Sequence, residues 1–231
     1  MAKAIQCSFR HEKALHAQGC QFVAGIDEAG RGPLAGPVVA AIAILPRKFK
    51  HAVLRDSKQL SHRQLGSIYE ELTSRADVLW AVAAVDSVEI DRINILRATH
   101  EAMRRTLPAL ANQSPQNKAP QNKAPQNPPS QNPGPDHVLI DGLPVPHFPL
   151  PHTALVSGDC LSYSIAAASV IAKVTRDRLM IAMDEVYPGY DFYRHKGYGT
   201  ALHLERLKKH GPCPTHRRSF LPVAQTLFPF A

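Results

Sequence analysis

Two apolar runs, Phe22 to Ile26 and Val38 to Leu45, flank a segment dense in glycine and proline, Ala29 to Pro37. Short aliphatic runs bounded by turn-forming residues read as strands, so this stretch predicts a strand pair joined by a glycine-rich loop. Asp27 and Glu28 end the first run. Successive strand side chains point to opposite faces, so both acids can serve one site only if the chain bends there. Gly30, Gly32 and Gly36 permit such a bend and let backbone N–H groups come close to a sugar or phosphate, with Arg31 beside them as a charge-assisted donor. Carboxylates beside a basic glycine loop suggest metal-assisted phosphate chemistry. The plainer alternative is a hairpin whose acids and Arg31 pair on the surface.

Beyond this pair the chain alternates strands and helices, as an α/β fold requires. Val78 to Val85, Val138 to Ile140 and Thr153 to Val156 read as further strands. Ser61 and Gln64 form a capping-box signature that opens a helix with Leu65, Ile68, Tyr69 and Leu72 on one face. Helices are also predicted over about Ile93 to Leu107, over Ser162 to about Tyr187, and over Thr200 to His210 with Gly211 as its C-terminal cap. Residues 112–135 read NQSPQNKAPQNKAPQNPPSQNPGP, with seven prolines and no Val, Leu, Ile or aromatic residue. Such a run buries too little apolar surface to offset its ordering entropy, and is predicted to be a disordered loop insertion.

At 231 residues and 44% hydrophobic content the chain can bury one domain core. Its longest apolar run is too short to span a bilayer and its first residues lack a signal-peptide core, so no membrane role and a cytoplasmic location are expected. Cys7, Cys20, Cys160 and Cys213 form no C-x-x-C pair and read as reduced thiols; Cys213 and His216 have metal-like spacing without a second half. A net charge of +8 favours a polyanionic partner. Much of it lies from Asp191 onward, where Arg194, Lys196, Arg206, Lys208, Lys209, Arg217 and Arg218 outnumber two acids, Asp191 and Glu205.

Three acidic positions share a context. Asp27 and Glu28 end one strand, Asp141 ends another, and Asp159 stands at the entrance to a helix. Strand ends and helix starts are where an α/β sheet gathers ligands, and hard oxygen donors suit Mg²⁺ or Mn²⁺. Two such ions can stabilise the attacking and leaving oxygens of a phosphoryl displacement. Taken singly, Asp159 could instead cap its helix and Asp141 could begin a turn at Gly142.

The run GIDEAGRGPLAGPVVAAI from Gly25 to Ile42, DSKQLS from Asp56 to Ser61, LIDG from Leu139 to Gly142, Gly158-Asp159, SIAAASVIAKVTRDR from Ser164 to Arg178, and HKGYGT from His195 to Thr200 together resemble bacterial ribonuclease HII. The resemblance covers about Gly25 to Phe220, apart from the proline-rich insertion, which departs from the family's tighter connection. It implies a ribonuclease H-like fold with a mixed five-stranded sheet flanked by helices. The core would be residues 22–187, with 1–21 an N-terminal extension and 188–231 a small helical C-terminal part carrying the basic tail. It implies that Asp27, Glu28, Asp141 and Asp159 hold two divalent ions. It further implies that Gly30, Arg31 and Gly32 sense the ribose 2′-hydroxyl, that Tyr198 packs on the following sugar, and that Lys58 lies near the phosphates. Plainer roles exist for Tyr198, as a packed core side chain, and for Lys58, in a surface turn.

The implied reaction is hydrolysis on the 5′ side of a ribonucleotide in an RNA–DNA hybrid or in duplex DNA, leaving a 3′-hydroxyl and a 5′-phosphate. The expected partner is that nucleic acid, bound by a monomer; Phe228-Pro229-Phe230 could serve a clamp-type partner or be a frayed end. A hybrid-binding module without activity is the rival from another class. Ribonuclease HIII is the nearer rival, and usually carries an extra N-terminal domain for which Met1 to Gln21 is too short.

Overall fold

Strands β1 (Val23–Ala29), β2 (Val38–Ile44), β3 (Leu79–Val85), β4 (His137–Asp141) and β5 (His152–Leu155) form one sheet in the order β3-β2-β1-β4-β5. This is a computed structural model, and it describes residues 7–51, 54, 60–112 and 134–227. Lys58, nearly all of the proline-rich repeat and Phe228-Pro229-Phe230 lie outside the described residues. β1, β2 and β3 pair antiparallel, whereas β4 lies parallel to β1 and β5 parallel to β4, so the sheet is mixed as expected.

Alternation along β1 and β2 sorts their side chains into two cores. Ala24 and Ile26 with Ala40, Ile42 and Ile44 face α4 (Ile95–Ala111), meeting Ala98, Ala102 and Met103. Ala41 and Ala43 face the other way, toward α2 (His62–Ser74) and α5 (Tyr163–Val186). The Ser61–Gln64 capping box opens α2 as anticipated. The helix expected over Ile93 to Leu107 is instead two, α3 (Ser87–Ile93) and α4, because Asn94 takes a left-handed φ of 68° and its side chain caps the second at the Arg97 N–H. Asp86 caps α3 in the same way.

Helix α5 is the central element. Three consecutive alanines, Ala166, Ala167 and Ala168, are wholly buried and let its axis come close to the sheet. Gly25 of β1 lies directly beneath it: a Cβ there would sit 2.1 Å from the Ser164 carbonyl carbon and 2.3 Å from the Ile165 nitrogen. The entry to α5 is secured by α1 (Arg10–Ala17), on which sequence reasoning was silent. Buried Glu12 accepts from the Ser162 hydroxyl (2.6 Å) and the Ser164 N–H (2.9 Å), placing a carboxylate at the positive end of a 24-residue helix. Leu15 of α1 packs with Val23, Leu139 and Ile165.

After α5, the short helices α6 (Phe192–His195), α7 (Ala201–His210) and α8 (Leu221–Leu227) form the C-terminal part. Two small clusters, one around Ala35, Met180, Tyr190 and Phe192 and one around Leu34, Leu207 and Val223, fasten it to the glycine-rich loop. None of the four cysteines is in a disulfide, and among the described residues no helix is long and apolar enough to cross a membrane.

Gly25→Ala should cost about 3 kcal/mol of stability, because the added methyl meets helix backbone that cannot step aside. Urea unfolding would show it as a lower midpoint at unchanged slope, and a shift under a few tenths of a molar would refute the close approach.

Candidate active site

The cleft opens where β1 and β4 part. Their pairing ends at Ile26 and Ile140, so Asp27 and Asp141, the next residue on each strand, lie side by side on the α5 face. The bend expected at Asp27-Glu28 does not occur: β1 continues through Ala29 in unbroken register with β2, with Asp27 opposite Ala41 and Glu28 opposite Ala40. Glu28 therefore projects from the other face. Both acids still line one cleft of about 280 Å³ because it wraps around the open end of the strand.

Asp27 is buried, accepts the Glu28 N–H at 2.7 Å and is hydrogen-bonded by Ser169. Burial foremost, then Glu28 and Asp141, push its carboxyl well above the usual carboxylate value. Burial also raises Glu28, against the pull of Arg31, whose Nη1 is 3.3 Å from Glu28 Oε1. That ion pair is the one the hairpin alternative anticipated, but Asp27 takes no part in it. Asp141 accepts the Gly158 N–H at 2.6 Å, which fixes its carboxylate at the cleft.

Asp159 follows Gly158, whose N–H holds Asp141. It is buried in a 3₁₀ turn, Gly158–Cys160, and does not cap α5, a task that Ser162 performs. It does not line the cleft, and its charge reaches the Cys7 thiol, which burial foremost pushes up to about 12. Among the described residues no group of three or more His, Cys, Asp or Glu side chains stands ready to hold a metal ion, at the acids or at Cys213 and His216. The donor set of Asp27, Glu28 and Asp141 is nevertheless all hard oxygen and short of positive charge, the chemistry that suits a divalent cation.

Gly30, Arg31 and Gly32 form the rim opposite these acids. Nothing stands within 4 Å of a Cβ placed on Gly32, so its backbone is open to a ligand. Gly30 has φ of 95°, and a Cβ there would strike Arg176 Nε at 2.0 Å. Tyr198 completes the rim and is 41% exposed, which removes the packed-core alternative. Two cations stand over its ring, Lys173 Nζ at 5.8 Å and Arg176 Cζ at 5.7 Å.

Four functional candidates escaped sequence reasoning: Ser169, Lys173, Arg176 and Arg217. The first two line the cleft one helical turn apart on α5, and Lys173 is held by Asp177 at 2.8 Å. Their spacing of four is visible in the sequence, but serine and lysine at that spacing are common on any helix. Arg176 and Arg217 are wholly buried and grip the loop by its carbonyl oxygens. Arg176 donates to Pro37 (3.0 Å) and Ala35 (3.2 Å); Arg217 donates to Gly36 (3.0 Å), Arg31 (2.9 Å) and Gly30 (2.6 Å). Burial first, then neighbouring Arg176, lowers Arg217 to about 9. This corrects the basic tail: Arg217 spends its donors inside the protein and Arg206 is paired with Asp191 at 2.8 Å. Arg194, Lys208, Lys209 and Arg218 remain exposed.

Comparison with known proteins shows the family of the chain. The chain matches the family model described as Ribonuclease HII over residues 24–223. A ribonuclease HII of Desulfitobacterium hafniense (strain DSM 10664 / DCB-2) is 44% identical over 226 residues, which is 98% of this chain and 78% of that protein. The ribonuclease H2 of Pyrococcus horikoshii OT3 has a similar structure, with TM-score 0.65 and 24% identity over 89% of this chain and 97% of that one. So has Bst-RNase HIII, solved in complex with Mn²⁺, with TM-score 0.63 and 20% identity over 93% of this chain and 71% of that one.

A carboxyl raised by folding favours the native state below its ordinary value, and that contribution is lost as pH climbs from there through the raised folded value, so metal-free protein should lose stability across that interval and level off above it. Asp27→Asn keeps the hydrogen-bond acceptor and removes the charge, and should stabilise metal-free protein at neutral pH by about 1 kcal/mol or more. Thermal melts in chelator across pH would show the flattened profile. A destabilised mutant would mean that Asp27 is structural. Arg217→Met, by contrast, strands two buried carbonyls, of Gly30 and Gly36, and the part-buried one of Arg31, and should cost about 3 kcal/mol or more in urea unfolding.

Proposed function

This chain belongs to the ribonuclease HII family, endoribonucleases that act on RNA–DNA hybrids with the help of divalent metal, and from that premise we propose that it also cuts duplex DNA on the 5′ side of single embedded ribonucleotides. The products would carry a 3′-hydroxyl and a 5′-phosphate. One observation carries the reading: a carboxylate cluster, an open glycine backbone and an exposed tyrosine ring share a single cleft. Each supplies a different requirement of the reaction.

Only the 2′-hydroxyl separates RNA from DNA at a given sugar. Backbone groups of Gly30 to Gly32 can approach that hydroxyl because Gly32 presents no side chain, and the carbonyls behind them are already committed to Arg217. Tyr198 offers an aromatic plane at the neighbouring sugar, where an extra oxygen would clash. Arg31, half exposed at the rim, and Lys173 supply positive charge for the flanking phosphates.

Asp27, Glu28 and Asp141 would be the oxygen ligands for two divalent ions, Mn²⁺ or Mg²⁺. When bound, such ions activate water and stabilise the departing 3′ oxygen. The raised carboxyls support this assignment, since acids crowded without a counter-charge are disposed to accept one. The Mn²⁺ complex of a ribonuclease HIII of this fold is a further support. Asp159 belongs to the proposed set through its place beside Gly158, whose N–H holds Asp141. Lys58 keeps its proposed phosphate contact on the resemblance alone.

The test uses labelled duplexes carrying one ribonucleotide, a continuous hybrid, or DNA only, each with Mn²⁺, Mg²⁺ or chelator. Cleavage is expected 5′ to the lone ribonucleotide and along the hybrid, not in the all-DNA duplex, and Asp27→Asn should lower it by about a thousandfold or more. Equal cutting of all-DNA duplex would refute the sugar discrimination. Tight binding in Mn²⁺ without product would favour a hybrid-binding module.

A further inference from the structure

Next to Tyr198 lies a buried group of histidines that the proposed chemistry does not use. His203 and His216 are 0% and 1% exposed, and their Nε2 atoms are 3.1 Å apart. His203 Nδ1 is 3.0 Å from the Tyr198 carbonyl oxygen, and His216 Nδ1 is 3.1 Å from both the Cys213 N–H and the Cys213 sulfur. His195 stacks on His203 with ring centroids 4.2 Å apart, its own nitrogens committed to the Gly197 N–H and the Tyr190 carbonyl.

The two ends of this chain define its protons. A backbone N–H can only donate, so His216 Nδ1 accepts from Cys213 and its proton is on Nε2. A carbonyl can only accept, so His203 carries its proton on Nδ1, donates to Tyr198, and receives the His216 proton at Nε2. One pair of neutral tautomers satisfies every group. Burial first, then the neighbouring imidazole, lowers both histidines to about 4, so the arrangement stays uncharged at neutral pH.

The chain also runs the other way. His216 forms an antiparallel bridge with Ala35, and the next residue, Arg217, grips the carbonyls of Gly30, Arg31 and Gly36 while its own N–H donates to Leu34. Leu34 in turn donates to the Gly197 carbonyl at 2.8 Å, beside Tyr198. Gly197 has φ of 83° and no room for a Cβ, which would lie 2.5 Å from the Ala35 oxygen. The tyrosine and the glycine loop, more than 160 residues apart in sequence, are thus tied to one internal frame.

We propose that His203 and His216 are positioning residues for sugar recognition: they hold the Tyr198 backbone at a set distance from the Gly30–Gly32 loop, through hydrogen bonds continued by Arg217. This rests on the reading of that loop and Tyr198 as the sugar-recognising pair. Neither histidine touches substrate. Their loss would loosen geometry, and misplacement of a recognition group by about 1 Å can cost as much as a hundredfold in rate.

The experiment compares wild type, His203→Phe, His216→Phe and His216→Gln on duplex DNA with one ribonucleotide, with Mn²⁺ added. Each phenylalanine variant should lower kcat about tenfold or more while KM moves less than about threefold. His216→Gln keeps an N–H donor toward His203 and should return kcat to within about threefold of wild type. Folded phenylalanine variants with wild-type kcat, or a glutamine variant as slow as they are, would overturn the proposal. Nitrogen-15 NMR of the wild-type imidazoles supplies a second measurement should the variants fail to fold. It should show the proton on Nδ1 of His203 and on Nε2 of His216, and the reverse tautomers or imidazolium at neutral pH would overturn the frame. Wild type that leaves the ribonucleotide uncut would defeat the parent reading of the cleft, whereas wild type that cuts beside unaffected variants defeats this one alone.

Discussion

Helix α5 rests on the bare backbone of β1 at Gly25, and the cleft follows from that contact. A helix in van der Waals contact with a strand, with no side chain between, delivers its successive turns to successive strand positions. Ile165 lies over Gly25, Ser169 reaches Asp27, and Arg176 reaches Gly30. The rise of about 1.5 Å per residue on the helix and about 3.3 Å on the strand makes this spacing work: 11 residues of α5 cover the same distance as five of β1. Any side chain at Gly25 would lift the helix off the sheet and withdraw Ser169, Lys173 and Arg176 together.

The charges of the site are separated in an instructive way. Its two buried guanidiniums, on Arg176 and Arg217, are not paired with its buried carboxylates but with main-chain oxygens of the loop. Its carboxylates, apart from the rim contact of Glu28 with Arg31, face one another. Cations neutralised by Asp27 or Asp141 would have stabilised the empty site and occupied the oxygens that a metal needs. Placing positive charge against carbonyls instead rigidifies the glycine loop and leaves the acids uncompensated. The cost is visible in the raised carboxyls and the lowered Arg217.

What could be foreseen from sequence divides along the same physical line. Strands, the capping box at Ser61 and Gln64, and the acids at strand ends depend on local pattern, and local pattern is written in neighbouring residues. The break at Asn94 was missed because asparagine in a left-handed conformation leaves the apolar periodicity on either side intact. The expected bend at Asp27 failed for a different reason: it assumed that one site must lie on one face, whereas the β1–β4 pairing stops at Ile26 and exposes both faces at the strand's end. Arg217 looked like one more member of a basic tail, since nothing nearby in sequence distinguishes an arginine threaded through a loop 181 residues away from one in water. Asp159 was read from its place before a helix, and the structure buries it in the turn whose Gly158 N–H holds Asp141.

The long proline-rich run enters the fold where it can do least harm to this site. It joins α4 to β4, and β4 runs parallel to β1, so the run connects at the start of the strand while Asp141 lies at its end. Its exit is pinned: Asp136 accepts the N–H groups of Gln21 and Phe22 at 2.6 and 3.1 Å, locking the first residue before β4 to the first residues before β1. The register that sets Asp27 beside Asp141 is therefore established downstream of the insertion, by contacts the insertion does not make. Lengthening a connection costs about 0.6 kcal/mol per doubling when its ends are already held together. A chain so anchored can accept the added residues without moving the carboxylates at the far end of the sheet.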